Sequence, residues 1–255
     1  MNKYERIETH KSYRRKSKYN NYLLFSIIYK IVIFLAFFKI SIYEVNIEDQ
    51  IEKELNNIKF NETNLTWGNV KHELEFLSNK YKYLIKYEKS ISEDSPIWVM
   101  WYQGIENAPP LVQSCVQSII INKAKHPVYL IDKYNFEKYI KLPSFIKEKL
   151  NNGTFSVTHF SDILRMGLLY KYGGYWIDST YFVNTPLTKV DFHFYTIKKN
   201  YCSMKSSFIK CIWVGNFLAV PPNSFFATYG YMAFLSYWKK YNSLINYFLT
   251  EVHRQ

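Results

Sequence analysis

Apolar residues along this chain fall into segments of different period, and each period predicts an element. Residues 22–38 form an almost unbroken apolar run, interrupted only by Ser26 and Lys30, four residues apart. Residues 43–93 mix charges with apolar residues at helical spacing: Ile47, Ile51, Leu55 and Ile58, then Leu74, Phe76, Leu77, Tyr81, Leu84 and Ile85. That spacing predicts one or two connecting helices that pack on the domain that follows. From Ile97 the pattern changes. Ile97 to Trp101 (Ile-Trp-Val-Met-Trp) is continuously apolar, as a strand buried on both faces requires. Pro109 and Pro110 open a predicted helix over 111–122. Residues 127–131 read as a second strand ending at Asp132, and 135–150 as a helix interrupted at Pro143. A helix over 160–172 and a strand over 175–177 follow. Segments 192–197, 212–214 and 217–220 read as strands of a mixed part of the sheet, and 224–241 as a helix. Strands alternating with helices predict an α/β fold with a parallel sheet covered on its faces. No internal repeat is visible.

The segment from Phe160 to Thr180 carries the chemistry. Asp162 and Arg165 are three apart and project from one helical face. Leu164, Leu168, Leu169 and Tyr172 give the same helix an apolar packing surface. Gly173 and Gly174 end the helix where a positive φ is needed. Asp178 then sits at the C-terminal end of a bulky strand, the end where open α/β sheets bind ligands. An acid and an arginine on a helix beside a second acid at a strand end suit a phosphorylated, metal-bound or sugar ligand. The plainer readings are an intrahelical ion pair worth about 0.2–0.5 kcal/mol and an aspartate capping a turn.

This segment resembles the DxxR…GGxYxD region of sugar-nucleotide glycosyltransferases with a DXD motif. It is most similar to the capsular polysaccharide synthesis protein family, related to glycosyltransferase family 32. A second block, Pro96 to Pro110 (Pro-Ile-Trp-Val-Met-Trp-Tyr-Gln-Gly-Ile-Glu-Asn-Ala-Pro-Pro), resembles the first strand and loop of that family, where the nucleotide-binding half begins. The resemblance runs from about Ser95 to about Trp238. It implies a GT-A-like, Rossmann-like α/β domain that takes a nucleotide-sugar donor and a glycan acceptor and retains the anomeric configuration. It also implies a divalent cation, Mn²⁺ or Mg²⁺, held by Asp178. Asp178, Asp162 and Arg165 become the expected catalytic residues. Trp101, Asp162, Arg165, Gly174, Asp178 and Thr180 become the expected donor-binding set. One position departs from the DXD pattern: the tripeptide is Asp178-Ser179-Thr180, and a threonine hydroxyl is a poor replacement for a carboxylate around a hard cation. That departure motivates an alternative, a catalytically degenerate or truncated scaffold protein of the polysaccharide machinery.

Three further residues are weighed. Trp98 reads as core, His159 as a lone structural histidine outside the catalytic set, and Asp132, at the end of a predicted strand, as a residue that could touch the nucleotide. Neither a P-loop nor a dinucleotide fingerprint is present, which disfavours kinase and dehydrogenase readings.

Composition adds a location. The net charge is +12, and residues 1–18 alone hold seven basic residues against Glu5 and Glu8. A basic arm beside an apolar run points to anionic lipid rather than to nucleic acid. The run 22–38 is short of the ~20 apolar residues a span needs, and Lys30 in its middle costs about 2.5–3.5 kcal/mol at a bilayer centre. An interfacial helix keeps Ser26 and Lys30 in water; a true span and a helix packed on the domain are the other readings. Three cysteines without a CxxC pair argue against a disulfide framework and for a reducing compartment. The expected place is therefore cytoplasmic, at the inner face of the membrane. The expected organisation is a membrane-associating arm over 1–42, a helical connector over 43–93 and the transferase domain over 94–255, with relatives continuing beyond Gln255.

Overall fold

The computed structural model describes residues 51–82, 90–188, 193–197 and 214–245. The basic arm, the apolar run 22–38, Cys202, Cys211 and the expected strand at 212–213 lie outside the described residues. The chain divides into two compact units, Met1–Asn57 and Ile58–Gln255. In the first, residues 51–57 are helical. Among the described residues no helix is long and apolar enough to cross a membrane.

The second unit is built on one sheet. Helix α1 (Trp67–Lys82) precedes strand β1 (Ile97–Met100), and α2 (Pro110–Ile121) leads to β2 (Val128–Ile131). A short helix α3 (Ser144–Asn151) and the long α4 (Val157–Tyr172) lead to β3 (Gly174–Ile177). Then come β4 (Tyr195–Thr196), β5 (Phe217–Val220) and α5 (Phe225–Lys240). Among the described residues the strand order is β2-β1-β3-β5-β4. β2, β1 and β3 are parallel, with Trp98 opposite Tyr129 on one side and Trp176 on the other. β5 runs antiparallel to β3, and β4 antiparallel to β5. The sheet is thus mixed α/β with a parallel half. The parallel crossovers use helices because parallel strands cannot be joined by a tight turn.

Alternation along the strands assigns the two faces. Ile97, Val99, Tyr175, Ile177 and Ala219 share a core with Val116 and Ile119 of α2. Trp98 and Trp176 occupy the opposite face, toward α4. Trp98 is fully packed there: its ring lies against Tyr129, Tyr139 and Tyr172, and its Nε1 donates to the Gly173 carbonyl at 3.0 Å. Helix α4 is buried nearly all round, with Ile163, Leu164, Leu168 and Leu169 at 0% exposure, as a helix between a sheet and a second helix must be. The second helix is α5, which starts where Ser224 Oγ accepts from the Ala227 amide. Gly167 and Gly230 let α4 and α5 approach: a Cβ at Gly167 would overlap the Ile140 and Tyr231 side chains, and one at Gly230 would press on Met166. Helix α1 packs on α5 through Leu74, whose carbonyl accepts from the Tyr229 hydroxyl at 3.2 Å.

Several expectations shift. The predicted helix over 135–150 is a 3-10 turn (Phe136–Lys138) followed by α3, because Pro143 precedes the first helical residue and stops a continuous helix. The apolar face of α1 is Val70, Leu74, Leu77 and Tyr81; Phe76 points outward, 62% exposed, because it is off that helical stripe. His159 lies inside the first turn of α4 rather than before it, bonded to Ser156 Oγ at 2.9 Å. The strand expected over 192–197 is reduced, among the described residues, to Tyr195 and Thr196.

Candidate active site

The site forms at the C-terminal ends of the parallel strands, where α4 crosses the end of β3. Asp162 and Arg165 sit one turn apart on α4, and Arg165 Nη1 donates to Asp162 Oδ1 at 2.7 Å. Both side chains are buried. The same guanidinium reaches across to β3, where Nη2 donates to Asp178 Oδ1 at 3.3 Å. Arg165 also stacks over the Trp176 ring, its Cζ 5.1 Å from the centroid. The Trp176 indole completes the group by donating to Asp178 Oδ1 at 2.6 Å. One guanidinium therefore bridges two carboxylates. The intrahelical pair is real, but it is one half of a larger cluster.

Local sequence builds each part. The helix ends at Gly173 (φ 64°) and Gly174 (φ 91°), so the chain reverses within two residues and β3 runs back beneath α4. A Cβ at Gly174 would overlap the Pro96 carbonyl oxygen, and one at Gly173 would overlap the Pro221-Pro222 backbone. Asp178 is the first residue past β3. Its amide donates to the Asn216 carbonyl at 2.9 Å, and its carbonyl accepts from Tyr181 N at 2.9 Å, which fixes the backbone on both sides. The loop that follows is clamped to α2: Val183 N donates to Ser118 Oγ, and Asn122 Nδ2 donates to the Val183 carbonyl.

Burial sets the electrostatics. Desolvation raises the Asp162 pKa above the ordinary carboxylate value, with the Arg165 and His159 charges opposing it and Asp178 adding to it. Burial, helped by the nearby Asp178 carboxylate, likewise raises the Tyr181 phenol. Asp178 itself remains partly open, its side chain 32% exposed, with Oδ1 occupied by its two donors. Arg165 Nε is buried and has no hydrogen-bond partner among the described residues.

The other predicted residues divide. The parallel register sets Met100 level with Asp178, so Trp101 lies just beyond the end of the adjacent strand. Trp101 lines a shallow cleft with Ile105, Glu106, Leu130 and Asp132, and its Nε1 is buried with no partner among the described residues. β1 leads to β2 on one side while β3 lies on the other, so Trp101 and Asp178 straddle the point where the strand order reverses. Ligands of open α/β sheets bind at such a point. Thr180 is exposed beside Asp178, and Ser179 is buried. Gly174, by contrast, stands at the opposite end of β3 from Asp178, packed on Pro96; its place is set by backbone geometry and it does not join the cluster. Asp132 Oδ1 accepts from the amides of Tyr134 and Asn135, which makes it a turn cap. Trp176 and Asn216 are the residues that sequence reasoning passed over. The two-residue spacing of Trp176 and Asp178 along one strand was the available signal for the first; the second depends on a pairing between distant strands.

The capsular polysaccharide synthesis protein family matches residues 46–253. The chain belongs to that family. Two relatives of this family member carry glycosyltransferase names. O-glycosyltransferase braB of Annulohypoxylon truncatum is 31% identical over 103 residues, 36% of this chain and 24% of that protein. O-glycosyltransferase PaGT of Phomopsis amygdali is 28% identical over 99 residues, 35% of this chain and 24% of that protein. The matches thus span about a quarter of the length of these curated relatives. No solved structure matches the chain.

Proposed function

We propose that this chain is a glycosyltransferase with a GT-A-like domain that moves a sugar from a nucleotide-sugar donor to a hydroxyl of a growing surface polysaccharide. The observation that carries the reading is the Asp162–Arg165–Asp178 bridge at the C-terminal strand ends. Family membership and the names of the relatives support the reaction class; the retaining course and the hexose-type donor follow from the family resemblance.

The residues divide the work. Asp162 fixes the plane of the guanidinium, so Arg165 meets the donor already oriented and little rotamer entropy is lost on binding. Arg165 Nε is the guanidinium nitrogen without a partner among the described residues, and a diphosphate or sugar oxygen would give it an acceptor. Negative charge grows on the leaving diphosphate as the glycosidic bond breaks, and a buried, fixed cation stabilises it without reorganising. Trp101 and the cleft beside it take the nucleoside end.

A divalent cation fits this site only in company. Among the described residues no group of three His, Cys, Asp or Glu side chains is placed to hold a metal. Asp178 offers one carboxylate whose Oδ1 is already engaged, with the Thr180 hydroxyl nearby. Mg²⁺ is commonly held by one or two carboxylates plus substrate phosphates, and that is the donor set available here. Asp178 and Thr180 would be the protein's share of the shell. When bound, the cation would add Lewis-acid neutralisation of the diphosphate.

Calorimetry with UDP-, GDP- and CDP-sugars, with and without Mn²⁺, tests the reading on the wild type and Asp178→Ala. One donor should bind with metal dependence, and the variant should lose about 100-fold or more in affinity or transfer. A folded wild type that binds no donor would sink the transferase reading in favour of a degenerate scaffold.

A further inference from the structure

The α4-facing side of the sheet carries one more polar group that the motif does not include. Asn216 lies in the turn before β5. The antiparallel register that pairs Ile177 with Phe217 continues to the next pair, Asp178 opposite Asn216. The Asp178 amide donating to the Asn216 carbonyl confirms that pairing. Directly opposed residues of an antiparallel pair project from the same face, with Cβ atoms about 4.5–5.5 Å apart. That face is the one where Trp176 and Asp178 meet Arg165. Asn216 therefore stands one strand over from Asp178, on the side where the donor is proposed to bind.

Its side-chain carbonyl is one of several buried polar atoms without a partner among the described residues. Oδ1 is shielded from solvent, and nothing among the described residues donates to it. A buried carbonyl without a donor is destabilising, and a ligand hydroxyl is one group that supplies the partner. Arg165 Nε is unsatisfied in the complementary sense, a donor without an acceptor. The unpaired acceptor and the unpaired donor define the chemistry of what fits. A phosphate carries only acceptors, so it satisfies Arg165 and meets Asn216 only if the amide turns Nδ2 toward it. A sugar ring offers hydroxyls that donate and accept, and so satisfies both. The residue as a whole is only half-buried, and χ2 of asparagine is soft, so its amide turns to a ligand without backbone movement.

We infer that Asn216 binds a hydroxyl of the transferred sugar, making it a determinant of which donor sugar is accepted. This rests on the transferase reading and names the part of the donor that Asn216 recognises.

The test separates sugar from nucleotide. The full chain and its Asn216→Ala variant are titrated, in Mn²⁺, with UDP-, GDP- and CDP-sugars and with UDP, GDP and CDP. The ratio of nucleotide-sugar to nucleoside-diphosphate affinity isolates the sugar's share. In the variant, nucleoside-diphosphate affinity should be unchanged and the melting temperature of the free protein unchanged or higher, while nucleotide-sugar affinity falls about tenfold. An unchanged ratio overturns the inference, as does a parallel fall in both affinities with a lower melting temperature, which marks a structural role. If Asn216→Ala does not fold, Asn216→Ser is read by the same ratio. A wild type that binds no nucleotide at all overturns the transferase reading and this inference with it, whereas intact wild-type binding with an unchanged ratio overturns this inference alone.

Discussion

Asp162 shows that an ion pair does not by itself decide a protonation state. Its carboxylate accepts from Arg165 at 2.7 Å, yet burial outweighs that contact and raises its pKa. A carboxyl that protonates more easily folded than unfolded holds more protons in the folded chain. Stability is therefore lost as pH rises from the unfolded pKa through the higher folded one. Asp162→Asn lacks this dependence. The stability difference between the two proteins, from urea unfolding, should move in favour of the variant as pH rises from about 4, then level off. A difference moving the other way would mean that Arg165 outweighs burial. At this scale the sequence was informative: the three-residue spacing of Asp162 and Arg165 predicted their contact. It did not reveal that the guanidinium bridges to a second carboxylate, because that contact joins a helix to a strand.

The turn between α4 and β3 fixes the angle at which helix and strand meet. Gly174 adopts φ 91°, and a side chain there would run into the Pro96 carbonyl. Gly174→Ala should cost about 1–3 kcal/mol or more in urea unfolding. Gly68→Ala on α1, where a Cβ meets nothing within 4 Å, is the control and should be neutral or slightly stabilising. Equal effects would remove the strain argument. The double glycine was legible as a helix stop, since only φ > 0 ends a helix this abruptly. The sequence does not show what the backbone there approaches, because a glycine two residues after a helix reads the same whether its neighbour is a ligand or another strand. Here Pro96 occupies the space.

On the scale of the whole molecule, every residue of the candidate site belongs to the Ile58–Gln255 unit, while the basic arm and the apolar run precede it. Removing residues 1–42 should therefore leave donor affinity within about twofold, since the deletion takes away no residue of the site's own unit and independent sites contribute nearly additively. The same deletion should abolish co-sedimentation with phosphatidylserine vesicles, to which a basic segment contributes about 1 kcal/mol per Lys or Arg. Donor binding that disappears with the arm would detach the site from the α/β unit. Retained vesicle binding would move the lipid contact elsewhere.

The sequence by itself determined what local periodicity and local sterics control. The parallel strands appear as apolar runs because both faces of such a strand are buried, α4 as a long helix because its apolar residues recur at helical spacing, and the stop at Gly173 because few residues tolerate that backbone. Asp178 was legible because a polar residue ending a buried run has to lie at the sheet's edge. The tertiary structure alone decided which edges meet. The order β2-β1-β3 sets the strand that leads to Trp101 next to the strand that leads to Asp178, and the antiparallel return of β5 brings Asn216 opposite Asp178. Trp101 and Asn216 are separated from Asp178 by 77 and 38 positions in the chain. No periodicity encodes contacts at such distances; they follow from how the faces of the sheet are covered once α2, α4 and α5 compete to bury their apolar surfaces.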